Sequence, residues 1–491
     1  MAEHVVLYGA DGRPMKIHAV GWDAAQATNQ KDRVRAYNWT SSSDSINNLL
    51  TTGGVGTIRS RAREAIRNDP TAARAIEVFV SNLVGTGIKP LPTVEDEDLR
   101  KNILDAWSQW SDEADADGMS DFLGLQAVAV RAMAEGGECF IRFRPRRPQD
   151  GLSTPLQIQL LEAEFCDNTK DQTLPSGNTV RAGIEFDRVG RRKAYWMYRN
   201  HPGDFSVGIA NSFPVPADQV AHMFIVNRPG QVRGLPLLAN SLVALNELSQ
   251  YLDAEVVRKK LAAMMCAFQT TPNPEHDILG AGSIGTATDG VELGSLEPGT
   301  LQLLPPGHDI RFSEPADVGG SFSAFVTQQL RTVASGLGLT YEQISGDYSQ
   351  VSYSSARAAM IEFRRAIKQK QMHLVVRQFC RPIWKRWFDT AVMSGRIKIP
   401  NGMSIREASA ARWILPGWDQ VDPQKSISSQ IMAIQAGLMS RDQAIAESGV
   451  DPEELDAEIA RGNRRQSEHQ LQFTPSVGES EDANEGESDE V

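Results

Sequence analysis

Long apolar runs are absent from this chain of 491 residues: the longest, Leu261–Phe268, has eight residues, far short of the roughly 20 that a membrane-spanning helix needs. The N-terminus also lacks the apolar core of a secretory leader, because Glu3, Asp11 and Arg13 interrupt it. Cysteine is scarce. Cys139, Cys166, Cys266 and Cys380 lie far apart without a CxxC pair, which suggests neither a disulfide framework nor a zinc site and fits synthesis in a reducing cytoplasm. A basic excess is missing too, with 50 Lys and Arg against 62 Asp and Glu, a net charge of −12. Seven of the carboxylates fall in Thr474–Val491, which has no Lys or Arg, so the remainder is only mildly acidic. Tight sequence-independent binding of a duplex draws on dense Lys and Arg that release counterions from phosphate. This balance predicts a protein that touches nucleic acid without holding it.

Catalytic signatures are equally thin. Gly280, Gly282 and Gly285 in GAGSIG imitate a dinucleotide fingerprint, but the following ATDGVEL supplies no helix to present amides to a phosphate, so the run reads as a flexible loop. There is no GxxxxGK[ST] phosphate loop, no GxSxG elbow and no HExxH helix. The eight histidines are scattered, and His222, His308 and His373 have no carboxylate or cysteine at ligand spacing, which makes them core or surface residues. Asp347 and Asp389 are the carboxylate pair that a metal-dependent nuclease would use, yet nothing in the sequence brings them together. No catalytic residue, metal or cofactor is therefore expected.

What the chain does carry is periodicity. After a stretch over residues 1–57 without sustained period, read as an extended arm, Asp69 and Pro70 divide two helices: an N-cap followed by proline at the first helical position. Ile76, Phe79, Val80 and Leu83 stripe the second, which Gly85 closes. Leu99, Ile103, Trp107 and Trp110 stripe a third helix, and Phe122–Ala134 predicts a fourth, ended by Gly136 and Gly137. The period then changes to two in ECFIRFRP, PLQIQLLEA and GIEFDRVGRRKAYWMYRN, the last a hairpin with Gly190 in its turn. The class is α+β, predominantly helical.

Leu238, Leu242, Leu245, Leu252 and Val256 predict one long helix from Leu235 to Phe268. A Gly- and Pro-rich β module over 270–315, another helix (321–338) and a polar loop follow. The loop opens into a helix on which Ser354 or Ser355 is the cap and Met360, Phe363, Ile367 and Leu374 recur at three-, four- and seven-residue intervals. Arg357, Arg364 and Lys368 form a second stripe rotated about 100° from the first, blurred by Lys370. A solvated face on an ordinary core helix explains these cations as well as contact with phosphate does. Pro382 is expected to kink the helix by removing the bond to the carbonyl of Gln378, with Gly395 as terminator. Residues 403–466 read as short helices started at Asp422–Pro423, Ser440 and Asp451–Pro452.

Three segments, in this order, resemble the lambda-type family of tailed-phage portal proteins: RAREAIRNDP at Arg61–Pro70, continuing TAARAIEVFVSNLVGTGIKP; DYSQVSYSSARAAMIEFRR at Asp347–Arg365; and WILPGWDQVDPQKSISSQIMAIQAGLMSRDQAIAESGVDPEELDAEIA, ending at Ala460. The resemblance implies a portal architecture of wing, stem, clip and crown with long helices around a channel. It assigns 58–234 to the wing, 235–268 and 321–339 to stem helices, 269–320 to the clip, 340–353 to a tunnel loop, 354–395 to a kinked channel helix and 396–468 to the crown. The arm before residue 58 and the acidic tail, 469–491, lie outside it.

By the same analogy Ser345, Asp347, Tyr348, Ser349, Gln350 and Ser352 face DNA from the loop, and Arg357, Arg364 and Lys368 contact it from the channel helix. Arg258, Lys259 and Lys260 form a basic cluster on the stem, and Glu292, Glu297, His308, Asp309 and Arg311 lie at the motor-facing clip. The implied partners are further copies in a dodecameric ring, transient double-stranded DNA, terminase, major capsid or scaffold protein and head-tail connector proteins, with no membrane. The implied place is the virion, after assembly in the host cytoplasm. The alternatives are another ring or baseplate component, or the nuclease.

Overall fold

The computed structural model describes residues 45–51, 54–204, 211–263, 267–270, 285–286, 292–293, 309–312, 321–418 and 423–471. Helix begins earlier than the sequence suggests: α1 (Ile46–Thr51) and α2 (Gly54–Asn68) include part of the expected arm, because Ile46, Val55 and Ile58 find burial. At the start of α3 (Pro70–Val84) the Asp69 carboxylate accepts from the Thr71 amide at 2.7 Å, and Gly85, at φ +52°, stops the helix, both as expected.

A short strand, β1 (Lys89–Pro92), leads to α4 (Glu97–Glu113), capped by Asp96, and α5 (Phe122–Gly136), capped by Asp121. Then come β2 (Glu138–Pro145), β3 (Leu156–Glu162), β4 (Gln172–Thr173), β5 (Thr179–Arg181), β6 (Ile184–Phe186), β7 (Arg192–Met197), β8 (Phe213–Pro216) and β9 (Val220–Phe224). They form two antiparallel sheets, β3-β2-β9 and β4-β5-β6-β7-β8.

Next in the chain is α6 (Leu242–Ala263), shorter than predicted. Pro236 leaves only a 3-10 turn at Leu237–Asn240, and Ala267–Thr270, expected to be helix, is a strand, β10. At 22 residues the helix is about 33 Å long. Leu238, Leu245 and Leu248 are buried, while Val256 is exposed. The strands β11 (Gly285–Thr286) and β12 (Glu292–Leu293) pair, as do β10 and β13 (Asp309–Phe312). Gly280 and Gly282 lie outside the described residues.

After α7 (Ser321–Leu337), a short helix, α8 (Tyr341–Ser345), stands inside the segment expected to be loop. Helix α9 (Tyr353–Lys370) is capped not by Ser354 or Ser355 but by Ser352, whose hydroxyl accepts the Ser355 amide at 3.3 Å. The chain continues as a π-helical stretch, Gln371–Cys380, into α10 (Arg381–Met393). Where Pro382 was expected to act by removing one hydrogen bond, the ten residues before Arg381 widen instead, and the Arg381 amide bonds to Val376. Gly395, at φ +76°, follows the helix end as predicted. The last elements are α11 (Ile405–Ala408), β14 (Ala411–Ile414), α12 (Pro423–Gln435), α13 (Arg441–Glu447) and α14 (Pro452–Glu468). The pairing of β14 with β1 is a strand where only helices were expected.

These elements make two compact units, each discontinuous in sequence: Met1–Ile76 with Pro236–Phe363, and Glu77–Leu235 with Arg364–Val491. Residues 58–76 thus group with the segment around α6 and α7 rather than with the sheets, unlike the continuous wing assigned to 58–234. In the first unit, α2, α6 and α7 pack together over Val333, Ala334 and Leu337.

In the second, one face of β2 lays Cys139, Ile141 and Phe143 on the side of α5, and the other turns Glu138 and Phe140 to the larger sheet. Indole rings fasten α4 to α10: Trp107 lies 4.9 Å from Trp384 and 4.8 Å from Trp387. Two glycines make the junction of α5, β2 and the segment before α6. Gly137 ends α5 at φ +92°, and a β-carbon there would sit 2.7 Å from the Leu235 carbonyl carbon; one on Gly234 would overlap the carbonyl of Gly137.

Candidate functional site

The polar loop between α8 and α9 is built from short-range bonds. Thr340 and Gln343 form a capping box for α8, Gly346 (φ +72°) ends it, and the Asp347 carboxylate accepts the Ser349 amide at 3.0 Å and the Tyr341 hydroxyl at 3.4 Å. Hydrogen bonds from Ser349 hold the Asp347 carboxyl below its ordinary range, so it stays anionic. Ser345, Asp347, Tyr348, Ser349, Gln350 and Ser352 are all exposed, Tyr348 at 63%. The loop offers hydroxyls, an amide and one negative charge, with no cation among residues 340–353. Such a surface hydrogen-bonds in passing but does not neutralise phosphate.

The basic residues are not equivalent. On α9, Arg357 and Lys368 are exposed, whereas Arg364 is half-buried with its guanidinium 5.1 Å from the centre of the Trp418 ring. Met360 is half-buried; Phe363, Ile367 and Leu374 are buried, so the apolar stripe is real. Lys370 lies on that side, and burial lowers its pKa. On α6, Arg258 grips Glu255 at 2.6 Å and Lys259 reaches over Phe322 at 5.2 Å, leaving Lys260 exposed; the cluster is partly neutralised by its own helix. Of the clip residues, Glu297 and His308 lie outside the described residues. Glu292 falls in β12, and Asp309 and Arg311 in β13.

A buried polar knot joins the two sheets of the second unit. Glu138, on β2, accepts from Arg233 Nε at 2.7 Å, from His222 Nε2 at 2.9 Å and from the Gly234 amide at 3.1 Å. Arg233 also donates to the carbonyls of Ala182 (2.6 Å) and Ala163 (3.0 Å). Arg192, which has no acceptor atom, meets His222 Nδ1 at 2.9 Å, so Nδ1 carries the lone pair and the ring is neutral with its proton on Nε2. Burial would raise the Glu138 pKa, but Arg233 and His222 more than offset it and hold the carboxyl well below its usual range. Burial pushes His222 down to about 4. His222 is therefore a core residue, as expected, although the carboxylate it meets was invisible at local spacing.

Acid sensitivity follows from the signs. The unfolded chain takes up a proton on His222 near 6.5 and the folded one only near 4, so stability falls as the pH drops through that window; below 4.5 Glu138 adds to the loss. A shift of this size corresponds to about 3 kcal/mol at 1.36 kcal/mol per unit. We expect the melting temperature from scanning calorimetry to fall between pH 6.5 and 4.5, and the slope to shrink in His222→Gln. Equal slopes in both proteins would remove His222 as the cause.

Glu162, Glu164 and His201 bring ligand atoms within 4.8 Å of one another. The Gly203 amide donates to His201 Nδ1 at 3.1 Å, however, so in the neutral ring the proton sits on Nε2, the nitrogen 3.3 Å from Glu162. A protonated nitrogen aimed at a carboxylate does not ligate a metal.

Sequence reasoning also passed over Arg142, Arg144 and Arg146. They sit at alternate positions of β2 and its extension, beside Gln157 and Gln159 of β3. Their signal was present in RFRPRR, a cation at every second residue of a predicted strand.

A family model described as phage portal protein, lambda family, matches residues 32–371. The chain is 27% identical over 420 residues to a probable portal protein of Halomonas phage phiHAP-1, covering 83% of this chain and 80% of that one. It is 25% identical over 451 residues to portal protein B of Escherichia phage lambda, covering 82% of each. Among solved structures, the neck of a native gene transfer agent particle, computed with C12 symmetry, aligns with 80% of this chain and 94% of its own at a TM-score of 0.46 and 14% identity.

Proposed function

The chain belongs to the lambda family of phage portal proteins, and from this we propose that copies of it close into a ring, dodecameric by analogy, that conducts double-stranded DNA during packaging and ejection. The observation that carries this reading is the family match over residues 32–371, which includes α6, α7, the loop 346–352 and α9. A non-catalytic role fits the same family, with ATP hydrolysis left to a partner.

In this reading α6 and α7 are stem helices, the strands β10 to β13 belong to the clip that meets terminase, and the loop 346–352 lines the channel. The C-terminal helices α12 to α14 form the crown, and head-tail connector and capsid or scaffold proteins complete the vertex in the virion. Physically, a conduit has to let phosphate slide. A mildly acidic wall with a hydroxyl-lined loop and few exposed cations per subunit, such as Arg357 and Lys368, contacts the backbone briefly while like charge elsewhere prevents sticking. Ring closure follows from a head-to-tail interface whose rotation returns to its start.

Native mass measurement and negative-stain images of the purified protein test the ring: closed annuli with a central hole are expected, and a monomer at every concentration would overturn it. Deleting Gly346–Ser352 is expected to leave rings intact while reducing packaged DNA, measured by nuclease protection, by an order of magnitude or so. Unchanged packaging would remove the loop from the DNA path.

A further inference from the structure

We propose that the arginine row of β2 is a docking surface for an acidic extended peptide, and that its occupant is the acidic C-terminal segment of this same chain. Arg142, Arg144 and Arg146 project from one side of β2 and its extension. Their neighbours are amides: Arg144 donates to Gln159, Arg146 to Gln157 at 2.8 Å and Arg142 to Gln219 at 3.4 Å. Among the described residues no ion pair joins any of the three to a carboxylate. Of the nearby acids, Glu113 accepts the Ser153 amide and Asp115 the amides of Asp117, Met119 and Ser120. Burial first, and then the charge of Arg144, lower the pKa of Arg142, and its Nε is buried without a hydrogen-bond partner. Like charges fixed side by side by neutral glutamines leave an electrostatic cost that a row of anions would relieve.

The spacing identifies the occupant. Alternate residues of a strand lie about 6.6–6.8 Å apart on one face. Glu485, Glu487 and Asp489 have the same alternation, in a segment with seven carboxylates and no cation from Thr474 to Val491. In extended form these three side chains would present anions at the repeat of Arg142, Arg144 and Arg146. Reach is adequate. The 14 residues from Leu471 to Glu485 span up to about 46–50 Å, the scale of α4 and α14 laid end to end at about 25 Å each. Those helices connect the two places: Arg100 pairs with Glu453 at 2.8 Å near one end of α4, and Gln157 donates to the Glu113 carbonyl at the other. The cations nearer the segment, Arg461, Arg464 and Arg465, share α14 with Glu458 and Glu468, so charge there is already mixed.

The test uses full-length protein and the arginine reagent phenylglyoxal, with rates at Arg144 and Arg146 read by peptide mass mapping. The substitutions Glu485→Gln, Glu487→Gln and Asp489→Asn, which change no described residue, are expected to raise both rates roughly threefold or more. Wild type in about 0.5 M salt should approach the same rates, while Arg461 stays unchanged in all samples. Equal rates in wild type and variant would overturn the proposal. It would also fall if a short duplex DNA slowed modification equally in both proteins while the variant otherwise matched wild type, because the row would then be a nucleic-acid surface.

Discussion

Arg233→Met is expected to destabilise the second unit by about 3–5 kcal/mol, because it leaves the Glu138 carboxylate in the interior without its cation. Both side chains are essentially inaccessible, at 1% and 0%, and 2.6 Å apart. Arg233 also satisfies two carbonyls, Ala182 beside β6 and Ala163 after β3, so its loss strands acceptors in both sheets at once. The companion experiment separates charge from packing. Glu138→Gln with Arg233→Met removes the lone charge, keeps a side-chain acceptor for the Gly234 amide and is expected to recover a substantial part of the loss, since an uncompensated ion costs more than a pair replaced on both sides. Urea titrations followed by tryptophan emission measure both. An Arg233→Met variant within about 1 kcal/mol of wild type would mean that the knot contributes little.

The distance of this knot in sequence explains why it was not legible. Glu138 and Arg233 are 95 residues apart, and each sits in a segment that reads locally as ordinary strand or loop. Pairing between β1 and β14 was hidden for the same reason: KPLP and ARWI carry no local signal for one another. What could be read was what local chemistry fixes, namely Asp69 with Pro70, the apolar stripes on α4 and α9, and the turn at Gly190. Errors came where two local rules competed. LAAMMCAF suits a buried strand as well as a helix end, which is why its pattern alone predicts a longer α6 than the structure has. SYSS offers several hydroxyls in a row, and only the backbone decides that Ser352 is the cap. The loop residues are legible as polar and exposed, but the short helix α8 at their start depends on the capping box of Thr340 with Gln343.

Function was legible by a different route, through order rather than through any site. No single residue of the loop or of α9 has chemistry that names a task; a seryl loop and a few exposed cations are common. In the proposed ring their meaning would come from repetition around an axis, where a weak contact per copy becomes a smooth lining, and sequence carries that only as a family pattern. The geometry adds a distinction among the cations: Arg357 and Lys368 are open to solvent, while Arg364 is committed to Trp418. Exchanges at the first two should therefore alter DNA handling with little effect on folding, and exchange at Arg364 should do the reverse.

Trp387→Ala is expected to be nearly as damaging as Arg233→Met, at about 3–5 kcal/mol, because it empties the centre of the cluster that ties α10 to α4. The Trp387 side chain is fully buried, with its ring 4.8 Å from Trp107, 5.0 Å from Trp384 and 6.1 Å from Trp110. Its indole nitrogen finds no hydrogen-bond partner, whereas Trp110 donates to the Leu156 carbonyl at 2.7 Å and Trp384 to the Ser409 carbonyl at 2.8 Å. Phenylalanine should therefore be tolerated better at 387 than at 110, since at 387 it removes volume and an unsatisfied donor, and at 110 it removes volume and orphans a buried acceptor. The expected order of melting temperatures is wild type, Trp387→Phe, Trp110→Phe, Trp387→Ala. Should Trp110→Phe melt above Trp387→Phe, the hydrogen bond to Leu156 contributes less than shape does, and the cohesion of α4 with α10 rests on packing alone.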